Sequence, residues 1–291
     1  IDALMEIHYD NNHTQTKNIR LKARGNFRRG HCLFPPIYLN FKTDPIENKS
    51  LKGAKRIKLV THCSTSKAYE IYVLKEYLAY KLYNILTDKS FRVKLLNITY
   101  IDTGKKKKNY QQYGFLIEPI EILAERSKTT EVDPTIIRKE NVIEEDVDRV
   151  ALFQYMIANT DWRIKGGHNT KYLKSLTEVT NQVISVPYDF DFSGFVGTNY
   201  SHPQSWSNVE NVSDREYLGY CRDNDLAYLN NIRKFEEKKD EILETINSFS
   251  YLHERERKYL NNYIAGFFSR LERPENFIKT LKSECRTRVD F

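Results

Sequence analysis

The chain has 291 residues, 40% hydrophobic and 29% charged, which is enough for a packed core and excludes a wholly disordered protein. No apolar run approaches the ~18 residues that a membrane-spanning helix needs, so we expect no membrane span. Residues 1–126 hold 23 basic against 12 acidic residues, a net of +11, and the remaining 165 hold 23 against 27, a net of −4. This division favours a small anion over nucleic acid as the ligand, because general DNA binding requires one continuous basic face.

The cysteines and the first residue say little about compartment. Cys32, Cys63, Cys221 and Cys285 have neither CxxC spacing nor a Cys/His arrangement suited to zinc. We favour free thiols, and one bridge such as Cys32–Cys63 is the alternative. The sequence begins at Ile1 rather than Met, which is compatible with an exported or cell-envelope protein whose signal has been removed.

Residues 1–118 predict a small β-sheet with one helix. Apolar and polar residues alternate in three segments, which is typical of half-buried strands, and the first has a basic outer face. A segment with apolar residues every three or four positions follows and predicts an amphipathic helix, before two further strands. In chain order the predicted elements are strands at Ile19–Arg24, Ile37–Lys42 and Arg56–Thr61, a helix at Lys67–Leu86, and strands at Phe91–Ile101 and Tyr113–Pro119. The basic run Lys105–Lys108 is interpreted as a solvated hairpin tip.

Residues 119–291 predict a mainly helical domain. The polar segment 127–142 is interpreted as a linker or loop. An acidic first turn followed by nearly uniform apolar character predicts a buried helix over Glu144–Ala158. A polar loop and two short strands come next, and the tail is mostly helical. These later segments are Asn159–Asn169, Lys171–Leu173, Val183–Val186 and Leu226–Leu281.

Two aspartates in an apolar segment suggest a metal site. Asp189 and Asp191 alternate with Tyr188, Phe190 and Phe192. Burying a carboxylate without a partner costs several kcal/mol, about what a hard cation such as Mg²⁺ would offset. The alternative is a strand end where the two aspartates accept backbone amides or pair with arginines.

A polar loop earlier in the chain strengthens the metal interpretation. Asp161 directly follows the predicted buried helix, which can orient it, and Asn169 offers a neutral oxygen ligand. An aspartate that orients a hydroxyl, an asparagine and a metal-binding aspartate occur in this order in protein kinases. The alternative for Asp161 is a loop cap. We interpret His168 as a structural histidine.

The basic part of the chain offers complementary groups for phosphate. The segment Arg24–Gly30 combines glycines with three arginines, so Arg24, Asn26 and Arg28 are candidate phosphate ligands. No Walker loop and no GxGxxG is present. Lys58 could bind a phosphate, and Glu76 on the predicted helix could position it, although an exposed lysine and a surface glutamate are the commoner case.

Together these motifs resemble the CotH-type atypical kinases, in particular an uncharacterised bacterial branch. The likeness covers roughly residues 18–200 and is specific as an ordered set rather than motif by motif. The elements that carry it are Arg24–Arg29, Phe34–Pro36, Lys58–Val60, Asn159–Trp162, His168–Asn169 and Tyr188–Gly194.

The resemblance implies an α+β, bilobal protein-kinase-like fold with a small antiparallel β-sheet lobe (1–118) and a mainly helical large lobe (119–291). It implies phosphoryl transfer from ATP with Mg²⁺ or Mn²⁺ to an unassigned protein or small-molecule acceptor. Asp161 would be the catalytic base, and the metal ligands would be Asn169 and Asp189, with Asp191 beside them. Lys58 and Arg24 would hold phosphates, and Glu118 would lie where a kinase hinge runs.

The sequence also departs from the kinase pattern. The catalytic aspartate and metal asparagine are eight residues apart instead of five, and the motif at Asp189 reads Asp-Phe-Asp with its glycine displaced to Gly194. Four alternatives stay open: nucleotidyl transfer by the same fold, a nucleotide-binding pseudokinase or scaffold, a glycosyltransferase that uses Asp189 and Asp191 to hold a nucleotide sugar, and a simple anion-binding module. The glycosyltransferase would have alternating strands and helices before the two aspartates, which the sequence does not predict.

Overall fold

The structure is a computed structural model that describes residues 1–10, 13–41, 53–104 and 108–287. The chain divides into two compact units. Unit 1 consists of Ile1–Tyr77 and Phe91–Leu123, and unit 2 of Leu78–Ser90 and Ala124–Phe291. The architecture is α+β, as predicted, with a curled antiparallel sheet in unit 1 and several helices in unit 2.

Unit 1 is built on a six-stranded antiparallel sheet. Its order is β1-β2-β3-β4-β6-β5, and the long helix α2 is inserted in the chain between β4 and β5. The predicted succession of strands and one long helix is therefore present, with β1 and a short helix α1 in addition. The elements are β1 (Asp2–Asp10), β2 (His13–Ala23), α1 (Phe27–His31), β3 (Ile37–Asn40), β4 (Arg56–Val60), α2 (Lys67–Leu86), β5 (Val93–Ile101), β6 (Asn109–Ile117) and α3 (Ile120–Arg126).

The two faces of this sheet have different chemistry because successive side chains of a strand point to opposite sides. One face carries the hydrophobic core of the unit, in which Ile19, Leu39, Ile57 and Leu59 are buried. The other face carries the intervening residues, including Lys58. The basic outer face predicted for β2 is therefore present.

The cysteines form two disulfides, Cys32–Cys63 in unit 1 and Cys221–Cys285 in unit 2. The preference for free thiols was wrong, because no free cysteine is left. Spacing alone could not predict this, since the Cys221–Cys285 partners are 64 residues apart and are brought together only by the packing of the tail. In unit 1 the bridge joins the segment after α1 to the segment after β4.

Unit 2 combines a three-stranded antiparallel sheet, in the order β7-β8-β9, with helices. The helix predicted at Glu144–Ala158 is present and almost entirely buried after its first turn, as its apolar sequence indicated. The elements are β7 (Thr129–Val132), α4 (Glu144–Met156), β8 (Thr170–Ser175), β9 (Val183–Pro187), α5 (Asp225–Glu236), α6 (Lys239–Asn247), α7 (Glu254–Leu271) and α8 (Pro274–Glu284).

Several boundaries differ from the prediction. The segment interpreted as a linker contains β7, whose side chains alternate too briefly to be recognised, and it pairs with β8. The hairpin of β5 and β6 is confirmed by the pairing of Ile101 with Asn109. Residues 105–107 of the predicted hairpin tip lie outside the described residues. Among the helices that the structure describes, none is both long and apolar enough to cross a membrane.

Candidate functional site

The hairpin of β8 and β9 brings two of the predicted site residues to one end of the small sheet. Asn169 immediately precedes β8, and Asp189 follows β9 by two residues. Thr170 and Pro187 are paired, and the amide of Tyr188 donates to the carbonyl of Asn169 at 3.0 Å. The antiparallel register therefore places Asn169 opposite Tyr188, one residue before Asp189, although Asn169 and Asp189 are 20 residues apart in sequence.

Asp161 joins the same end through its hydrogen bonds. Asn169 Nδ2 donates to the Asp161 carboxylate Oδ2 at 2.9 Å and to its carbonyl oxygen at 2.8 Å. The Asp161 amide donates to Asn159 Oδ1 at 3.0 Å, and the buried Asn159 amide group in turn donates to Gln154 Oε1 of α4. The end of a rigid, buried helix thus orients Asp161, and its side chain is still partly exposed.

The backbone at this end of the hairpin is strained. Asn169 has φ of 49° and Asp189 has φ of 66°, in the left-handed region that residues other than glycine rarely adopt. The conformation at Asp189 is held by the Tyr80 hydroxyl, which accepts its amide at 2.9 Å, and by the fully buried ring of Phe190 next to it. A strained backbone conformation persists only where the surrounding structure stabilises it, and such positions are common at functional sites.

Asp191 lies deeper than Asp189. It is 5% exposed, and its Oδ2 accepts a hydrogen bond from the Tyr200 hydroxyl at 3.0 Å. Its carbonyl oxygen accepts from the Thr198 hydroxyl at 3.2 Å. Of the two aspartates in this motif, Asp189 is therefore the more accessible to a ligand.

His168 contacts the site, which the sequence interpretation did not anticipate. Its Nε2 lies 2.6 Å from Asp161 Oδ1, and its ring packs edge-on against Trp206 with centroids 5.4 Å apart. The Trp206 indole donates to the carbonyl oxygen of Thr160 at 2.9 Å, and the Arg163 guanidinium lies 4.2 Å from the Trp206 ring centre. Trp206 gave no signal in the sequence, because it comes from a loop without periodicity far along the chain.

Asn169 and Asp189 carry oxygen donors of the type that a hard cation prefers, and a cation held by these two side chains would take most of its ligands from outside the chain. Within the described ranges, no three His, Cys, Asp or Glu side chains are grouped so that they could hold a metal. A tetrahedral zinc site built from His, Cys or acidic side chains is therefore not formed by the described residues. Mg²⁺ usually binds one or two carboxylates and takes its other ligands from water and phosphate, and Mn²⁺ prefers the same oxygen donors. Asn169 Oδ1 and the Asp189 carboxylate match that requirement.

Lys58 of unit 1 lies on the sheet face that α2 covers in part. Its neighbours across the sheet are Tyr38 on β3 and Ile117 on β6. Phe115 is on the same face, and its ring lies 5.8 Å from that of Tyr77 in α2. Lys58 is half-buried.

Glu76 and Arg28 form a buried ion pair in unit 1. Arg28 Nη1 lies 3.8 Å from Glu76 Oε2, and both side chains are less than a tenth exposed. Arg28 also donates to the carbonyl oxygen of Thr61. The sequence predicted a turn carrying phosphate ligands here, but residues 27–31 form α1 and turn Arg28 inward. Arg28 therefore holds Glu76 in the interior and is not an exposed phosphate ligand.

Arg24 and Asn26 are more accessible than Arg28. Arg24 is half-buried, its amide donates to the carbonyl oxygen of Pro36 at 2.8 Å, and its guanidinium carbon lies 6.0 Å from the Tyr38 ring centre. Asn26 is exposed, immediately before α1. Gly25, with φ of 82°, provides the left-handed turn between them.

Glu118 has a structural contact at the end of the β5–β6 hairpin. It is 8% exposed, and its Oε2 accepts the amide of Arg92 at 3.0 Å. Its own amide donates to the Arg92 carbonyl oxygen at 2.9 Å. Glu118 thus links the chain directly after β6 to the chain directly before β5. This is the position where the kinase resemblance would put a hinge.

Comparison of the chain with protein-family models gives no match, and comparison with curated proteins gives none either.

Proposed function

We propose that the chain is an ATP- and Mg²⁺- or Mn²⁺-dependent phosphotransferase, an atypical kinase of the CotH type. The observation that carries the proposal is the convergence of Asp161, Asn169 and Asp189 at one end of the β8–β9 hairpin, with strained backbone at the last two. These are the hydroxyl-orienting and metal-binding residue types that phosphoryl transfer requires, in the chain order that kinases use.

Asn169 Oδ1 and the Asp189 carboxylate would hold the metal ion, which would supply positive charge to neutralise the charge that develops during transfer. The Asp161 carboxylate can accept more than two hydrogen bonds. It can therefore accept one from the hydroxyl group that receives the phosphoryl group while it is held by His168 and Asn169. When the new O–P bond forms, the hydroxyl proton passes to Asp161 and the bond between the transferred phosphorus and ADP breaks.

The residues of unit 1 supply positive charge for the phosphates. Lys58 and Arg24 bind phosphate oxygens, and the exposed Asn26 contributes an amide donor. Glu76 positions Lys58, and Arg28 holds Glu76 in place. The chain order of β2, β3, β4, α2, β5 and β6 agrees with the small lobe that the resemblance implies, which supports these assignments.

The alternatives are less well supported. A glycosyltransferase that holds a nucleotide sugar would use a sheet of parallel strands, whereas the strands of both described sheets pair antiparallel. A simple anion-binding module leaves the arrangement at Asp161 and Asp189 without a purpose. A pseudokinase would use the same fold, so activity must be measured.

A turnover assay separates an active enzyme from a pseudokinase. The wild-type protein is incubated with γ-labelled ATP and Mg²⁺ or Mn²⁺, and label on protein and released phosphate are both measured. Asp161→Asn preserves the shape of the side chain and should lower turnover by about 100-fold or more, with nucleotide binding retained. The control is Asp240→Asn, which makes the same change at an exposed position of α6. Nucleotide binding without any turnover in the wild type would favour the pseudokinase.

A further inference from the structure

The sheet face of unit 1 that carries Lys58 also carries a set of cations that the proposed function does not use. On this face β2 and β4 contribute basic side chains, and β3, which lies between them, contributes neutral ones. We call this surface the basic face. Its residues are Arg20, Lys22, Tyr38, Asn40 and Arg56.

The register fixes their arrangement. Arg20 on β2 is opposite Asn40 on β3, which is opposite Arg56 on β4, and Lys22 is opposite Tyr38. Directly paired residues share a face, as do residues two apart on one strand. The basic face therefore has a column of cations along β2, a neutral column along β3, and a further cation on β4.

The cations of this face are open to solvent and have few counter-charges. Arg20, Lys22 and Arg56 are exposed. Arg20 forms an exposed pair with Asp2 at 3.0 Å. Across the described part of the chain, no carboxylate is within ion-pair distance of Lys22 or Arg56. Since like charges repel, such a cluster is stabilised by an anionic partner.

Tyr38 orders the two arginines that flank it. The Arg56 guanidinium carbon lies 4.3 Å from the Tyr38 ring centre, and that of Arg24 lies 6.0 Å from it. A guanidinium against an aromatic ring keeps its N–H edges available for a carboxylate or phosphate, and it loses less entropy on binding because it is already positioned.

The spacing of the cations fits an extended peptide. Adjacent strands are about 4.8 Å apart, so β2 and β4 are about 10 Å apart, and cations two residues apart on one strand are about 7 Å apart. Side chains of an extended peptide alternate sides with the same ~7 Å repeat. A groove of about 660 Å³ opens on this face, where Leu4, Asn18, Arg20, Lys22 and Asn40 are among its lining residues.

We propose that the basic face binds an acidic protein segment in an extended conformation. Its carboxylates contact Arg20 and Lys22 on one side and Arg56 on the other, and its backbone lies over Tyr38 and Asn40. Single-stranded nucleic acid fits less well, because base stacking needs an open aromatic ring and Arg56 already covers that of Tyr38. The proposal goes beyond the transfer reaction and does not depend on it.

Binding of a labelled oligoglutamate peptide of about ten residues tests the proposal by fluorescence anisotropy. The wild-type protein should bind the peptide, with an affinity that falls as salt rises. The double variant Lys22→Glu/Arg56→Glu should bind at least about tenfold more weakly, because two attractive contacts become repulsive. The matched control Arg255→Glu/Lys258→Glu makes the same charge change at exposed positions of α7 and should bind like the wild type.

Three further arms keep the result interpretable. Lys22→Gln/Arg56→Gln should also weaken binding and guards against misfolding of the reversed variant. Asp189→Asn should bind the peptide normally, which separates this proposal from the proposed function. An equal loss in the α7 control would overturn the proposal. So would tighter binding of a single-stranded oligonucleotide, or of vesicles of anionic phospholipid, that the Lys22/Arg56 variant abolishes.

Discussion

The two units differ in how their charged side chains are exposed and hydrogen-bonded. Unit 1 spreads exposed cations over a sheet face, where Lys22 and Arg56 have no carboxylate partner among the described residues. Unit 2 gathers oxygen ligands at the end of one hairpin and holds them with hydrogen bonds, as Asn169 holds Asp161. The charge asymmetry of the sequence therefore corresponds to two different surfaces, one rich in exposed cations and one rich in hydrogen-bonded oxygen atoms.

A second difference lies inside unit 1, between buried and exposed arginines. Arg28 and Arg29 are neighbours in α1, but Arg28 is buried against Glu76 and Arg29 is exposed. Burial and pairing with a protein group indicate that Arg28 has a structural role, which the exposed Arg29 lacks.

Arg28→Ala should have the largest effect on stability. It removes the guanidinium that contacts Glu76 and the Thr61 carbonyl oxygen, and it should lower the free energy of unfolding by about 3 kcal/mol. Urea denaturation measures the change. The neighbouring Arg29→Ala is the matched control and should change stability by less than about 0.5 kcal/mol. Equal small losses in both variants would mean that the buried pair is not structural.

Acid should destabilise unit 1 through His62. Burial, followed by the nearby cations Arg28 and Lys67, lowers the pKa of His62 from 6.5 to about 4, although Glu70 opposes this. Between these two values the unfolded chain binds a proton that the folded chain does not. The contribution of His62 to stability is therefore fully present above pH 6.5 and is lost as the pH falls towards 4.

The variant His62→Phe isolates that contribution. His62 packs against the rings of Phe34 and Tyr100, and neither of its ring nitrogens has a hydrogen-bond partner within the described residues. A phenylalanine should therefore be accepted, and stability measured from pH 7 to 4 should fall less than in the wild type. An unchanged pH dependence would assign acid sensitivity to other groups.

A smaller effect should report the strain at Asp189. With φ of 66°, this position suits glycine, whereas alanine would keep the unfavourable conformation and lose the carboxylate. Asp189→Gly should therefore be more stable than Asp189→Ala by about 1 kcal/mol in thermal or urea unfolding. If the two variants are equally stable, the backbone at this position is not strained.

Much of the fold follows from periodicity. The predicted bounds of α2 agree with the structure, because its apolar stripe is long and unbroken. The strands of unit 1 were found where apolar alternation is clear, as in β4. The first strand, β1, was missed because Asp2–Asp10 mixes charged and apolar residues at a sheet edge. The short α1 was missed because glycines and arginines resemble a turn.

The residues of the candidate site were selected from the sequence, but the contacts between them could not be. Asp161, Asn169 and Asp189 were selected by chemistry and order, and the hairpin register that joins two of them is a consequence of strand pairing. The contact of His168 with Asp161 could not be derived, because the intervening loop has no periodic pattern. The inward turn of Arg28 depends on the packing of α1, which composition does not encode.

A thermal-shift titration with ATP, with and without Mg²⁺ or Mn²⁺, tests the central claim most directly. At 100 times its dissociation constant a ligand stabilises the folded state by about 2.7 kcal/mol, which raises the melting temperature by several degrees. We expect ATP to raise the melting temperature only when the metal is present, and we expect Asp189→Asn to abolish this increase. No shift with ATP and either metal, or an equal shift in the variant, would contradict the central claim.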